Sequence, residues 1–502
     1  MISLLRLVSS TPSSFANVTP GVFYSIGWII YNLYFHPLAS FPGPKSNAAT
    51  SLPFFRSVLS GNLPMDAHRL HEKYGDVVRI APNEVTFTNP EAWKEIFAIR
   101  PGKPQRPKDQ RHLSVGPNHV PSILRADDQT HARYRRSLSH GFSEGSLQRQ
   151  EVIVKGYVDL LMQRLHGLAE SGSATVDMTC WYNYATFDII GDFAFGESFG
   201  CLQNSQYHFW VSVIFSHFRT AAWANVLRRV PAGNLLMKLI VPKEIREQKK
   251  HQNQMTKEKV QARMENGDNG RPDFLSNVLK QPLEKGMTED ELISNSYVLI
   301  IAGSETIATL LSGVTYYVLT VPGVLDKLKT EIRSAFTSED QITWAAVNQL
   351  EYTLAVLNEA LRMYPPVPYG FPRMVEGKGD FICGRWVPGG TAVGVPILAA
   401  HRSAANFKNP NAFIPERFMG ASEFESDNRN AVQAFSVGPR NCIGRNLAYA
   451  EMRLILARMI WNFDMEISPD SKQWIKQSSF VVWEKGNLDV KLTPALHTMD
   501  TK

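Results

Sequence analysis

One stretch limits the architecture more than any other. From Thr288 to Thr320 the residues pattern as a single helix, with Thr288 and Glu291 placed as a capping box and Pro322 marking where the run must stop. At 1.5 Å per residue such a helix reaches roughly 50 Å, the width of a whole domain. Its middle, SYVLIIAGSETIATLLSG, is apolar around nearly the full circumference. A helix of that kind is buried on all sides or spans a membrane. The acidic Glu305 at its centre argues against lipid contact. The run predicts a core helix with something special at mid-length, and a fold large enough to enclose it.

The chain has the size for this. Its 502 residues are 44% apolar and 20% charged, which suits one large domain or two to four smaller ones and excludes disorder as the dominant state. The 53 basic residues exceed the 47 acidic ones by six. That excess suits an anionic membrane face or an acidic protein partner. It is too small to argue for nucleic acid, and no finger, RNA-binding or Arg-rich signature accompanies it. The four cysteines, Cys180, Cys201, Cys383 and Cys442, form no CxxC pair and no disulfide scaffold, so a reducing compartment is the simpler reading.

No charged residue occurs between Arg6 and Lys45, and the segment from about Phe15 to Phe35 is long enough to span a bilayer. Tyr24, Trp28, Tyr31 and Tyr34 suit interfacial anchoring. A cleaved signal peptide competes with this reading but lacks a basic n-region and a clean cleavage site. A buried helix is the plain alternative. Asn17-Val18-Thr19 is a sequon set against the apolar run. Residues 1–40 are read as a membrane anchor, 41–44 (FPGP) as a stiff proline-rich hinge, and 45–502 as the main domain. Val77–Phe87 reads as two short strands around a Pro-Asn turn. Helices are expected at 145–168, 181–193, 322–336, 343–364 and 444–461, with a charged surface run at 243–263 and short strands after Pro366. The whole is mainly α with small β-sheets.

The stretch FSVGPRNCIG, from Phe435 to Gly444, sets one cysteine in a Gly- and Pro-rich loop immediately before a helix. Backbone N–H groups and a helix N-terminus near sulfur favour the thiolate. A buried, inert cysteine is the ordinary alternative. Phe435, Gly438, Arg440, Cys442 and Gly444 fill the pattern FxxGxRxCxG, and here the sequence resembles the cytochrome P-450 haem-thiolate monooxygenases.

The resemblance runs over nearly the whole chain. It implies the single-domain, triangular-prism haem-thiolate fold behind an N-terminal transmembrane helix. It implies haem b, with Cys442 as axial iron ligand, Phe435 near the sulfur, Arg440 on a propionate, and Gly438 and Gly444 allowing close approach to the porphyrin. Ala302-Gly303-Ser304-Glu305-Thr306 matches the family's oxygen-activation motif. The two small residues would make room for the cofactor, Thr306 would orient or donate a proton, and Glu305 would link it to solvent. The alternative has Thr306 bonding back to its own turn. Glu359 and Arg362 match ExxR and, with Arg417 of Pro415-Glu416-Arg417-Phe418, imply a structural network bracing the cysteine loop. Arg135, Arg373 and His131 resemble further propionate partners, His131 standing where the family often has Trp.

Segments 108–124, 205–240, 299–306, 366–372 and 478–484 are expected to line the substrate pocket, with Phe209, Phe215, Phe218, Val367, Tyr369 and Phe480 as apolar walls. The motifs resemble microsomal enzymes of filamentous fungi. That implies hydroxylation of a hydrophobic terpenoid, polyketide or alkaloid-type metabolite with O2. Electrons would come from NADPH through a separate cytochrome P-450 reductase, with cytochrome b5 as a second donor. The implied location is the endoplasmic reticulum membrane, single-pass, with the catalytic domain facing the cytosol. A haem-thiolate enzyme of rearrangement, coupling or ring formation, and a non-enzymatic membrane-tethered carrier of hydrophobic ligands, are the alternatives.

Overall fold

The computed structural model describes residues 13–113, 116–267, 271–281 and 286–496, without the side chains of 13–21, Phe215, Ser216, Asn234, Lys238 and Asn277. The Phe215 pocket assignment and the ends of the 1–40 and 45–502 segments therefore lie outside what is described.

The principal helices are α1 (Ser13–Ile30), α2 (Asp128–Ser139), α3 (Glu144–Leu168), α4 (Met178–Phe195), α5 (Phe209–Leu227), α6 (Lys243–Glu265), α7 (Glu289–Thr320), α8 (Val324–Ala335), α9 (Glu351–Met363) and α10 (Arg445–Asn462). Each expected helix is present within a few residues, except that 343–364 divides into Trp344–Val347 and α9. Strands β1 (Val77–Ala81), β2 (Glu84–Phe87), β4 (Arg373–Met374) and β7 (Ala392–Gly394) form a sheet of order β1-β2-β7-β4. The β2–β7 pair is parallel. β3 (Ala174–Asp177), β11 (Asp489–Pro494) and β8 (Phe463–Ile467) form a second sheet, and β5 (Gly379–Ile382) pairs with β6 (Arg385–Pro388). A last hairpin joins β9 (Ser479–Phe480) to β10 (Val482–Trp483).

Helix α7 is the axis of the molecule. Thr288 and Glu291 close the capping box, and Glu289, Asp290 and Glu291 place negative charge at the positive helix end. Most of its length is buried, which answers the choice left by its composition: α7 is apolar enough to cross a bilayer, but its hydrophobic surface is taken up by the fold. It packs along α4, nearly all of whose side chains are buried. The approach is close at Gly303, where a Cβ would stand 2.5 Å from Ile190 Cδ1.

At the N-terminus, α1 continues as a π-helical turn, Tyr31–Phe35, and exposes Phe23, Tyr24, Trp28 and Phe35. The chain then docks. Arg79, buried on β1, donates Nη1 to the Asn32 carbonyl at 2.9 Å and to the Leu38 carbonyl at 3.3 Å, while its own N–H bonds to Pro42 O at 2.7 Å. Leu38 and Phe41 join the core cluster around β2 and β7. The Pro-Gly-Pro stretch is thus held against the sheet.

Candidate haem-binding and oxygen-activation site

The cysteine loop is held by its own backbone. Cys442 N donates to Phe435 O at 2.9 Å, and Asn441 N to Gly438 O at 3.1 Å. Gly438 has φ +78°, and a Cβ there would lie 2.1 Å from the Phe97 carbonyl oxygen, so the loop passes too close to that chain for any other residue. The close approach is to Phe97. At Gly444 a Cβ would meet only the Phe142 ring, at an ordinary 3.6 Å. The Phe435 ring packs on Tyr449 at 5.3 Å.

Cys442 is surrounded by protein yet accessible, so its thiol opens onto an internal cleft. Burial pushes this thiol up; the Gly444 N–H, Arg135 and Arg445 pull it down without prevailing. The expectation that the loop alone favours the thiolate is therefore corrected, since desolvation of the sulfur outweighs its donors. A bound cation reverses that balance, because a coordinating thiol is deprotonated outright. Of the other cysteines, Cys201 is buried in the core. Cys180 is half-buried and donates Sγ–H to Asp177 at 3.0 Å.

Near the loop a group of cations converges. Arg135 donates to the carbonyl and side-chain oxygens of Asn441, beside the sulfur. Arg440 donates to Asp128 at 2.7 Å, and its buried Nε has no partner among the described residues. Arg373, whose Nε likewise has no partner among the described residues, donates Nη1 to the Arg106 carbonyl at 3.3 Å. Lys108, absent from the sequence-derived set, is buried among Arg373, Arg440 and Arg135; burial and these charges hold its ammonium well below the usual lysine range. Burial and the same cations bring His131 down to about 4, keeping it neutral. Asp128 opposes the group but is half exposed. Buried cations gathered with so little negative charge need an anionic ligand. A dianionic cofactor fits them, with the accessible thiol as the donor to its metal. Only the bridge Lys108↔Arg373 marks Lys108, and no sequence spacing reports it.

On α7 the motif residues divide. Ala302 is exposed and Ile301, Gly303 and Thr306 are half-buried, whereas Ser304 and Glu305 are buried; a Cβ at Gly303 would face Ile190 on α4. Ala302 is thus the more open of the two small residues, and Gly303, half-buried, lets α7 approach α4. The Thr306 hydroxyl donates to the Ala302 carbonyl at 2.6 Å. Glu305 is fully buried and turned to Lys485 and Thr309. The expected Glu305 link from Thr306 to solvent is not made in this arrangement. Successive helix residues point about 100° apart, and Glu305 follows its counter-ion.

The Glu359 network is complete. Arg362 donates Nε and Nη2 to the two Glu359 oxygens at 2.8 and 2.7 Å, and Arg417 Nε donates to Oε1 at 3.1 Å. All three side chains are fully buried. The arginines also donate to the carbonyls of His401, Lys408, Asn409, Pro410 and Ala412, binding the segment that leads to the cysteine loop.

The expected pocket walls fare unevenly. Tyr369 is buried with Val226 and Phe54, and Phe480 packs on that cluster. Phe218 packs on the main core, and Val367 is half-buried. Phe209 is exposed and faces His251 on α6, so it is removed from the wall. Glu84, Asp109 and His112 bring ligand-type atoms within 4.8 Å of one another, but Arg229 donates to Glu84 and His112, and Arg111 to Asp109. Arginines fill this cluster, which ties α5 to β2.

An accessible cysteine next to a group of buried cations, in a chain whose long buried helix carries an Ala-Gly-x-Glu-Thr turn, coincides with a family match: the cytochrome P450 model covers residues 42–492. The chain belongs to the cytochrome P450 family. Haem is the cofactor of that family, and this P450 is a monooxygenase. It is 44% identical to the cytochrome P450 monooxygenase astA of Talaromyces wortmannii, over 94% of this chain and 95% of the relative. It is 42% identical to an averantin hydroxylase of Dothistroma septosporum, over 98% and 94%. A second averantin hydroxylase, from Aspergillus parasiticus, is 43% identical over 93% and 94%.

Proposed function

We propose that this P450 hydroxylates a hydrophobic secondary metabolite, with Cys442 as the residue that would hold the haem iron and α7 as the helix that handles protons. The observation that carries the reading is the accessible Cys442 thiol beside Arg135, which itself stands with Lys108, Arg373 and Arg440 in one cationic group, so that a metal donor and carboxylate partners come together. Thiolate-ligated haem supplies O–O cleavage and oxygen transfer. The chain's residues supply the rest. The four cations would hold the propionates, and neutral His131 would add a hydrogen bond. The Glu359–Arg362–Arg417 network keeps the cysteine loop rigid, so that the donor is in position beforehand. Ala302 leaves space beside the pocket. The Thr306 oxygen, its proton given to Ala302 O, accepts a hydrogen bond from a water and passes a proton on when that bond opens. Tyr369 and Phe480 offer apolar surface to the substrate.

Two relatives are named as hydroxylases, which favours hydroxylation over rearrangement or coupling. Electrons come from NADPH through a separate reductase, and cytochrome b5 is the second candidate donor. Residues 1–40 anchor the protein in the endoplasmic reticulum membrane as a single pass, with 45–502 in the cytosol; the exposed Phe23, Tyr24, Trp28 and Phe35 support lipid contact. The 41–44 stretch, fastened by Arg79, sets the attitude of the domain to the bilayer. The test is product analysis under isotopically labelled dioxygen, comparing metabolites of cells with and without the active protein. One labelled oxygen atom in a new hydroxyl is expected. An isomerised or coupled product without label would replace hydroxylation by the alternative chemistry.

A further inference from the structure

We propose that Lys485 is a positioning residue for the oxidation: it clamps the Glu305 carboxylate on the Thr309 side of α7, and proton delivery past Thr306 requires the clamp to open. This rests on the proton role of Thr306 and Glu305 proposed above.

The clamp is a closed triangle. Lys485 Nζ forms an ion pair with Glu305 Oε1 and donates to Thr309 Oγ1 at 2.7 Å, and Thr309 Oγ1 donates to the same Glu305 oxygen at 3.3 Å. Both charged side chains are almost wholly buried. Glu305 Oε2 is also buried and takes no hydrogen bond among the described residues. A buried ion pair with an unmet oxygen is a poor way to stabilise a core, because desolvation takes back much of the attraction. An apolar pair of similar volume would serve packing as well. The free oxygen matters to chemistry instead: it is an acceptor already dehydrated, one residue before Thr306.

The clamp is also attached to α5. Lys485 follows the β9–β10 hairpin, whose single-residue tip is Val481 at φ +93°, a conformation that β-branched residues avoid. Beside it Glu484 takes Arg219 of α5 in a two-point pair, Nε at 2.6 Å and Nη2 at 2.9 Å. Neighbouring residues of opposite charge therefore tie one strap to α5 and to the acid of α7. A shift of α5 would reach Glu305 through this strap by way of the surface pair Arg219–Glu484.

The charged and titratable groups set against Glu305 are Lys485 from the strap, Tyr207 from the turn before α5, and Tyr364 from the end of α9. Burial pushes the carboxyl up, and Lys485 and Thr309 pull it back. Removing the ammonium raises it further and frees the side chain to turn.

The test compares haem-loaded wild type with Lys485→Met, Lys485→Arg, Glu305→Gln and the Lys485→Met/Glu305→Gln double variant. NADPH consumption without substrate, measured with the reductase, is expected to rise several-fold in Lys485→Met. It should return toward wild type in Lys485→Arg and in the double variant. Infrared spectra should show a protonated-carboxyl band in Lys485→Met that is absent from the double variant. Its unfolding temperature should fall relative to the double variant as pH rises, because the buried acid is then forced to ionise. Wild-type NADPH consumption and no carboxyl band in Lys485→Met, with Glu305→Gln impaired in substrate oxidation, would overturn the clamp alone. If Glu305→Gln leaves substrate oxidation unimpaired, the proton role of Glu305 itself is wrong, and Lys485 is only its structural counter-ion.

Discussion

Gln433 donates its backbone N–H to His401 Nε2 at 3.1 Å. The His401 carbonyl accepts Arg362 Nη1 at 3.0 Å, and its Nδ1 faces the Leu361 carbonyl at 3.2 Å. One neutral imidazole thus joins the Glu359 network to the chain entering the cysteine loop. Glu359→Gln leaves the buried Arg362 without its carboxylate and Arg417 with Asp427 alone. It is expected to cost about 3–5 kcal/mol, as breaking a buried pair does. His401→Phe should cost less, about 1–3 kcal/mol for the unmet Gln433 N–H, and should speed transfer of haem to apomyoglobin. Denaturant unfolding and haem-transfer rates check both. Wild-type values for Glu359→Gln would show that the network does not brace the loop.

Acid stability follows from histidines that the fold keeps neutral. Burial brings His71 to about 4, and His112 and His401 to about 3, each from an ordinary 6.5. Arg229, Arg111 and Arg228 push His112 the same way, against Asp109. Because these groups bind protons more readily when unfolded, their contribution is complete above pH 6.5 and is lost as pH falls toward 3. Unfolding temperature should decline through that window. His112→Asn should flatten the decline, and an unchanged slope would count against a neutral His112.

Lys108 is buried among three arginines. Lys108→Met removes a cation that the haem-free protein does not balance. The haem-free variant should unfold at a higher temperature than its parent, while the loaded variant loses haem several-fold faster. Lys108→Arg should retain haem. Faster loss without apoprotein stabilisation would mean that Lys108 acts by packing.

Gly438→Ala meets two obstacles, a φ of +78° and a Cβ at 2.1 Å from Phe97 O. The backbone alone costs about 1–2 kcal/mol, and the clash adds to it. Little haem-loaded protein should be recovered. Gly444→Ala, which meets only a ring at 3.6 Å, should be far milder as judged by haem content per chain.

The sequence made legible whatever is local or contiguous. The capping box at Thr288 and the apolar circumference of α7 predicted a buried helix, and Glu305 correctly argued against lipid. Glu359 and Arg362 lie three apart on one helix face, and Arg417 joins them as the matched motif implied. Contacts made by distant chain were not legible. Lys485 lies 180 residues from Glu305, so nothing in the α7 motif revealed that the acid would turn away from Thr306. Lys108 became a site residue only when β4 brought Arg373 beside it. Phe209 looked like pocket wall because apolarity does not say which way a helix faces, and α6 decided it.

The claim on which the account depends is that the Cys442 sulfur binds the haem iron. Carbon monoxide difference spectra of the reduced haem-loaded protein test it most directly. The strongly red-shifted Soret band of a thiolate-ligated haem is expected for the wild type and should be lost in Cys442→Ser. A wild-type spectrum typical of nitrogen ligation, or persistence of the red-shifted band in Cys442→Ser, would contradict it.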